Sequence, residues 1–241
     1  MARRPAAGAA VTVADQAPGP EPLALRWRVD APVASFRNPL FAGVQVGLPV
    51  VPPSTVRGLL AAAVGGWARL GSPMVGIAFT AAGRGTDLET FHPLLASGRR
   101  PAPGKTGGPK PVDREFLVGA QLTIWIVADD PDRWAAALRR PVWPLRLGRS
   151  QDLVHPSRPE LVRLSRDRDA VQGGALVPSG ASGVSGRLYR LPVAVSVDRR
   201  LARWGDFVWD GEPDGRATPT LDGAYADPDG SLVCPIALDA P

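Results

Sequence analysis

The stretch LALRWRVDAPVASFRNPLFAGVQVGLPVVPPSTVRGLLAAAVGGWARL, residues 23–70, decides how the rest of the chain is read. Leu23, Leu25, Trp27 and Val29 alternate with Ala24, Arg26 and Arg28, the period of two that marks a half-buried strand. Val56, Leu59, Leu60, Ala63, Val64 and Trp67 then recur at helical spacing and form one apolar stripe. Ser54, after Pro52-Pro53, is the expected N-cap, and Arg57 at the N3 position leaves no capping box. A strand feeding a helix through a polar loop brings Arg37 and Arg57 close to backbone N–H groups. That arrangement suits phosphate better than metal.

Composition narrows the function classes. At 241 residues the chain is long enough for one large domain or two small ones, and 44% hydrophobic residues indicate a globular protein. No run approaches the ~18 apolar residues of a membrane span. The single cysteine, Cys234, excludes a disulfide framework or a cysteine-based zinc site and fits a reducing compartment. His92 and His155 are the only histidines, so no metal or cofactor is expected. Arg3-Arg4 precedes an alanine stretch too weak for a signal peptide, which favours the cytoplasm. The net charge of +5 is unevenly spread: from Gly205 onward eight acidic residues face one arginine, so the first 204 residues carry +12. The scarcity of lysine, Lys105 and Lys110 alone, fits a GC-rich coding sequence. The charge asymmetry instead points to a polyanionic partner, nucleic acid first.

Residues 1–22 are small, proline-rich and non-periodic, a disordered tail. Met74–Thr80 reads as a short strand and Leu88–Leu95 as a possible second one. Residues 97–114 then hold Arg99, Arg100, Lys105, Lys110 and Arg114 against one acid, Asp113, among prolines and glycines. Such a stretch cannot pack a core; it is either a plain surface loop or a basic arm that closes over a phosphate backbone. EFLVGAQLTIWIVA, residues 115–128, is the strongest strand, with Phe116, Val118, Ala120, Leu122, Ile124 and Ile126 on one face. Asp130 caps a helix that has Pro131 at its first position, and a further strand is expected at Val142–Leu147. The order β-α-β, basic insertion, β-α-β is that of an α+β ferredoxin-like or RRM-like domain over residues 23–150. From 151 to 241 the pattern is all-β, with strands at Leu161–Leu164, Leu188–Val197, Phe207–Trp209 and Leu232–Leu238 and a mobile loop over 165–187.

No phosphate-binding GxxxxGK[ST] or GxGxxG motif occurs, and GASGVSG at 180–186 reads as a loop. A metal-independent ribonuclease would need groups such as His92, His155, Lys105, Lys110 or Tyr189. Both histidines precede proline, a position more typical of turns. Arginine at element ends is plentiful: Ser35-Phe36-Arg37-Asn38, Thr55-Val56-Arg57-Gly58 and Leu147-Gly148-Arg149-Ser150. Guanidinium groups pair bidentately with phosphate and stack on bases.

The order ASFR, PPSTVRGLLAAAVG, basic insertion, REFLVGAQLTIWIV and WPLRLGRSQDL resembles the Cas-five family of CRISPR-associated RAMP proteins, over roughly residues 23–154. The resemblance implies a modified ferredoxin-like domain that caps one end of a type I Cascade complex and grips the 5′ handle of crRNA in antiviral defence. It implies a protruding β-hairpin thumb, here residues 80–114, packed against the repeated backbone subunit. It also implies a large-subunit neighbour and only indirect proximity to target DNA near the PAM end. By position, Ser35, Arg37, Asn38, Ser54, Arg57, Arg149 and Ser150 match the family's handle-binding places, with Arg99, Arg100, Lys105, Lys110 and Arg114 on the thumb. One branch of the family cuts the crRNA precursor with a Tyr/Lys/His set. PPSTVRG and the lack of tyrosine before Tyr189 place this chain closer to the non-cleaving, type I-B-like branch. The expected role is therefore non-catalytic. A metal-independent pre-crRNA endoribonuclease and a generic RRM-like RNA binder are the alternatives; Phe116 and Trp125 do not reproduce the aromatic strand motifs of the latter.

Overall fold

A computed structural model of the chain describes residues 21–41, 46–91, 109–166, 170–212 and 216–241. Residues 1–20 of the expected 1–22 tail, together with His92, Arg99, Arg100 and Lys105, lie outside the described residues. The first half holds β1 (Leu23–Ala34), β2 (Phe36–Arg37), β3 (Gly47–Leu48), α1 (Pro53–Val64), α2 (Trp67–Leu70), β4 (Met74–Phe91), β5 (Lys110–Val127) and α3 (Pro131–Arg139). The second half holds β6 (His155–Pro156), β7 (Glu160–Arg163), β8 (Val177–Pro178), β9 (Arg187–Val195) and β10 (Ala202–Trp209). Three short strands close the chain: β11 (Tyr225–Ala226), β12 (Leu232–Val233) and β13 (Ile236–Ala237).

The main sheet is antiparallel in the order β13-β4-β5-β1-β6, with β7 also paired to β1, so strands from both sides of residue 150 share it. Its alternation follows the sequence. Leu25, Trp27 and Val29 of β1 and Leu122, Ile124 and Ile126 of β5 face a core completed by Val56, Leu59 and Leu60 of α1 and Trp134 and Leu138 of α3. Leu191 and Val193 of β9 and Phe207 of β10 join that core. The opposite face is covered as well: Trp125 packs with Val162, Leu164, Tyr225 and Val233 from the C-terminal segments.

A long-range clamp fastens this cover. Asp227 accepts from Arg26 Nη1 (2.9 Å) and Trp125 Nε1 (3.2 Å), and its other oxygen accepts the backbone N–H groups of Asp229 and Ser231. Arg26 also reaches Glu160 at 2.7 Å and bonds Asp229. Burial alone would lower the Arg26 guanidinium, but its bonds to Glu160 and Asp227 outweigh this and raise it above the ordinary arginine value. Two of the eight acidic residues from Gly205 onward, Asp227 and Asp229, thus answer the basic face of β1.

Several elements differ from the expectation. The helical stripe does not run to Trp67, because α1 ends at Val64 with Gly65 in the left-handed conformation (φ 91°), and Trp67 begins a separate short helix. Ser54 is not the N-cap; Pro52 holds that place without a side-chain bond, and Pro53 opens the helix. Asp130 caps α3 as expected, accepting from Arg133 N–H at 3.0 Å. The strand expected at 142–147 does not form. Pro141 and Pro144 remove ladder donors there, and the segment docks on α1 through Val142 N–H to the Ala63 carbonyl (3.1 Å) and Trp143 N–H to the Ala62 carbonyl (3.2 Å). β6 and β7 supply the strand after α3 instead.

β4 does not stop at Thr80; it continues to Phe91 and pairs with β5 without a register shift from Met74↔Val127 to Phe91↔Lys110. The apolar face of β5 holds only from Ala120 to Ile126. At Gly119 (φ 59°) the phase reverses, so Leu117 enters the core while Val118 is exposed. The loop expected to be mobile at 165–187 packs closely where it is described: Phe79 N–H donates to the Gly174 carbonyl and Leu176 N–H to that of Ile77. Gly174 (φ 78°) permits this approach, since a Cβ there would lie 2.7 Å from the Phe79 carbonyl oxygen. Among the described residues no helix is long and apolar enough to cross a membrane.

Candidate nucleic-acid interface

The loop after β1, the start of α1, the segment before the LGRS turn and the β9–β10 turn enclose a cleft of about 1120 Å³. Its walls carry five arginines: Arg37, Arg57, Arg114, Arg146 and Arg199. None of its described lining residues is a carboxylate, a histidine or a lysine. Five arginines around one space with no carboxylate among its described lining residues suit a polyanion, and their planar donors suit phosphate.

The walls are built by short-range devices. Ser35 is buried and donates its hydroxyl to the Glu115 carbonyl (2.6 Å), while accepting from Arg114 Nε (2.7 Å). Gly148 (φ 112°) lies directly against this loop; a Cβ there would collide with the Ser35 carbonyl oxygen. Arg57 is mostly buried, donates from Nε to the Leu238 carbonyl at 2.9 Å, and stacks on Trp67 with its centre 4.8 Å from the ring. Burial first, then the nearby Arg203, hold the Arg57 guanidinium below the ordinary arginine value. Burial does the same to Arg114, with Arg149 and Arg37 adding to the effect against Glu89. Arg199 sits at φ 59° in the β9–β10 turn and lines the cleft from that hairpin end.

Of the residues expected from sequence, Ser35, Arg37, Ser54, Arg57 and Arg114 come together around this cleft. Asn38 shapes the loop instead: its side chain accepts from Leu40 N–H (3.1 Å) and its backbone N–H donates to Val46. Arg149 is bound to carboxylates, Asp152 at 3.1 Å and Glu89 at 2.5 Å, and ties the LGRS turn to β4. Burial would lower its guanidinium, and those bonds raise it. Ser150 is exposed and bonds Gln151. Lys110 opens β5. His155 is exposed beside β1, away from the cleft, and Tyr189 lines a separate groove with Arg84 and Arg187. Sequence reasoning missed Trp67, Trp143, Arg146 and Arg199. WPLR precedes LGRS directly, so Arg146 and Trp143 were within reach of a reading that set the expected strand aside.

No curated protein matches the chain. Among solved structures it is similar to a chain of a CRISPR RNA-guided surveillance complex, with TM-score 0.49 and 19% identity over 86% of this chain and 92% of that one. It is also similar to a CRISPR protein from Archaeoglobus fulgidus, with TM-score 0.45 and 14% identity over 87% of this chain and 98% of the other. The model of the family described as CRISPR-associated protein (Cas_Cas5) matches residues 24–202, a span that contains all but the first residue of β1, α1, the long β4–β5 hairpin and every described lining residue of the cleft. The chain therefore belongs to the Cas5 family of CRISPR-associated proteins.

Proposed function

We propose that this protein is a non-catalytic subunit of a type I Cascade surveillance complex, of the I-B-like branch, that binds and caps the 5′ handle of crRNA. The carrying observation is the cleft with five arginines and no carboxylate among its described lining residues. The strand order β4-β5-β1-β7, with α1 between β1 and β4 and α3 between β5 and β7, supports reading the domain as a ferredoxin-like RAMP domain. The distal part of the β4–β5 hairpin then serves as the thumb, packing against the repeated backbone subunit beside a large-subunit neighbour. Arginine remains protonated and makes a poor general base, so a cleft walled by it favours holding RNA over cutting it. A generic RRM-like mode is disfavoured because the sheet face that would stack bases is covered by Leu164, Tyr225 and Val233.

The test is binding of the full chain to labelled repeat RNA in EDTA. The RNA should be retained intact, and Arg37→Glu with Arg146→Glu should weaken binding by roughly tenfold or more and flatten its salt dependence. A defined cut abolished by His92→Ala or His155→Ala would make the protein an endoribonuclease. Unchanged affinity in the arginine variants would remove the cleft from the reading.

A further inference from the structure

We propose that Trp143 is a stacking platform for an unpaired nucleobase, so that the cleft takes single-stranded RNA and holds a base face as well as phosphates. The inference rests on the RNA-binding reading and adds a subsite to it.

The indole of Trp143 is 59% exposed, whereas Trp27, Trp125 and Trp134 are buried. Leaving so large an apolar ring in water forgoes the stabilisation that burial gives the others. The backbone that carries the ring is nevertheless held firmly. Pro141 and Pro144 restrict the backbone on either side, and the Val142 and Trp143 N–H groups anchor the segment to the Ala63 and Ala62 carbonyls at the end of α1. A base that stacks there meets a ring on an anchored segment, so little backbone-ordering cost opposes binding.

The surroundings choose the occupant. Trp143 shares the cleft with Arg37, Arg57, Arg114, Arg146 and Arg199. An apolar protein surface could cover the indole, but it would bury the exposed Arg37, Arg146 and Arg199 with no carboxylate among the described lining residues to meet them. A single strand supplies both partners, flat bases for the ring and phosphates for the guanidinium groups. A duplex keeps its base faces stacked inside and offers only phosphates. Trp67, 42% exposed and braced by Arg57, extends the aromatic surface of the same cleft.

The experiment compares the affinity of the full chain for a short oligouridine with that for an abasic strand of equal length, which keeps the phosphates and lacks the bases. Wild type should prefer the base-bearing strand. Trp143→Ala should lose that preference, with a fall on the order of tenfold for oligouridine and no change for the abasic strand. Trp143→Phe should restore most of the preference, which a purely structural role would not require. An equal loss for both strands, or no loss for either, overturns the platform while leaving the arginine cleft standing. A wild-type chain that binds neither strand overturns the RNA reading and the platform with it.

Discussion

Removing the Asp227 carboxylate tests whether the acidic C-terminal segment is part of the folded domain. In Asp227→Ala, Arg26, with a side chain only 10% exposed, loses its most buried counter-ion. The Trp125 indole N–H loses its acceptor, as do the N–H groups of Asp229 and Ser231. Breaking a buried ion pair from one side costs roughly 3–5 kcal/mol. Arg26 keeps Glu160 and Asp229, both half-exposed, which places the ion-pair loss near the lower bound. An unpaired buried N–H costs about 1–3 kcal/mol, and coupled losses do not add fully. The expected destabilisation is therefore about 3–4 kcal/mol, a large part of the 5–15 kcal/mol typical of a domain. Urea unfolding at neutral pH, followed by tryptophan fluorescence, measures it. Asp227→Asn, which keeps an acceptor oxygen, should lose less. A cost below about 1 kcal/mol for Asp227→Ala would refute the clamp.

Gly148→Ala should destabilise by roughly 2–4 kcal/mol in thermal or chemical unfolding, because a Cβ at φ 112° is strained and meets the Ser35 carbonyl oxygen. Arg149→Ala should cost about 2–3 kcal/mol by stripping the buried Asp152 carboxylate of its cation, while RNA affinity of the folded protein stays within about threefold, since Arg149 does not line the cleft. Burial pushes the Asp210 carboxyl above the usual carboxylate range. A raised folded-state value favours folding below the unfolded value of about 3.9 and loses that contribution as pH rises through the raised value. Asp210→Asn should therefore raise the melting temperature relative to wild type at neutral pH, and the gain should shrink as pH falls; a gain independent of pH contradicts this.

The legible parts of the fold were those whose burial is one-sided and local. Trp27 and Leu122 alternate with polar neighbours because one sheet face packs on helices, and Asp130-Pro131 carries its capping chemistry within one turn. The extension of β4 was hidden because Ala82, Gly83 and Gly85 lie beyond the core, where no alternation is needed. The clamp between Arg26 and Asp227 joins residues 201 positions apart, so no local pattern announces it. In the cleft, Arg37 and Arg57 stood out by their places at element ends. Trp143 did not, since Val142–Leu147 has strand composition and only Pro144 and the preceding Pro141 argue otherwise.

The uninterrupted pairing of β4 with β5 has a mechanical consequence. Eleven residues of β4, from Ala81 to Phe91, extend the ribbon by roughly 35 Å at the usual rise per strand residue. Its footing is shared with the cleft: Arg114 reaches back to Ser35, and Glu89 is held by Arg149 beside Gly148. Torque applied to the ribbon is therefore passed through the Arg114–Ser35 bond into the cleft wall, while the Glu89–Arg149 bond steadies the ribbon from outside it.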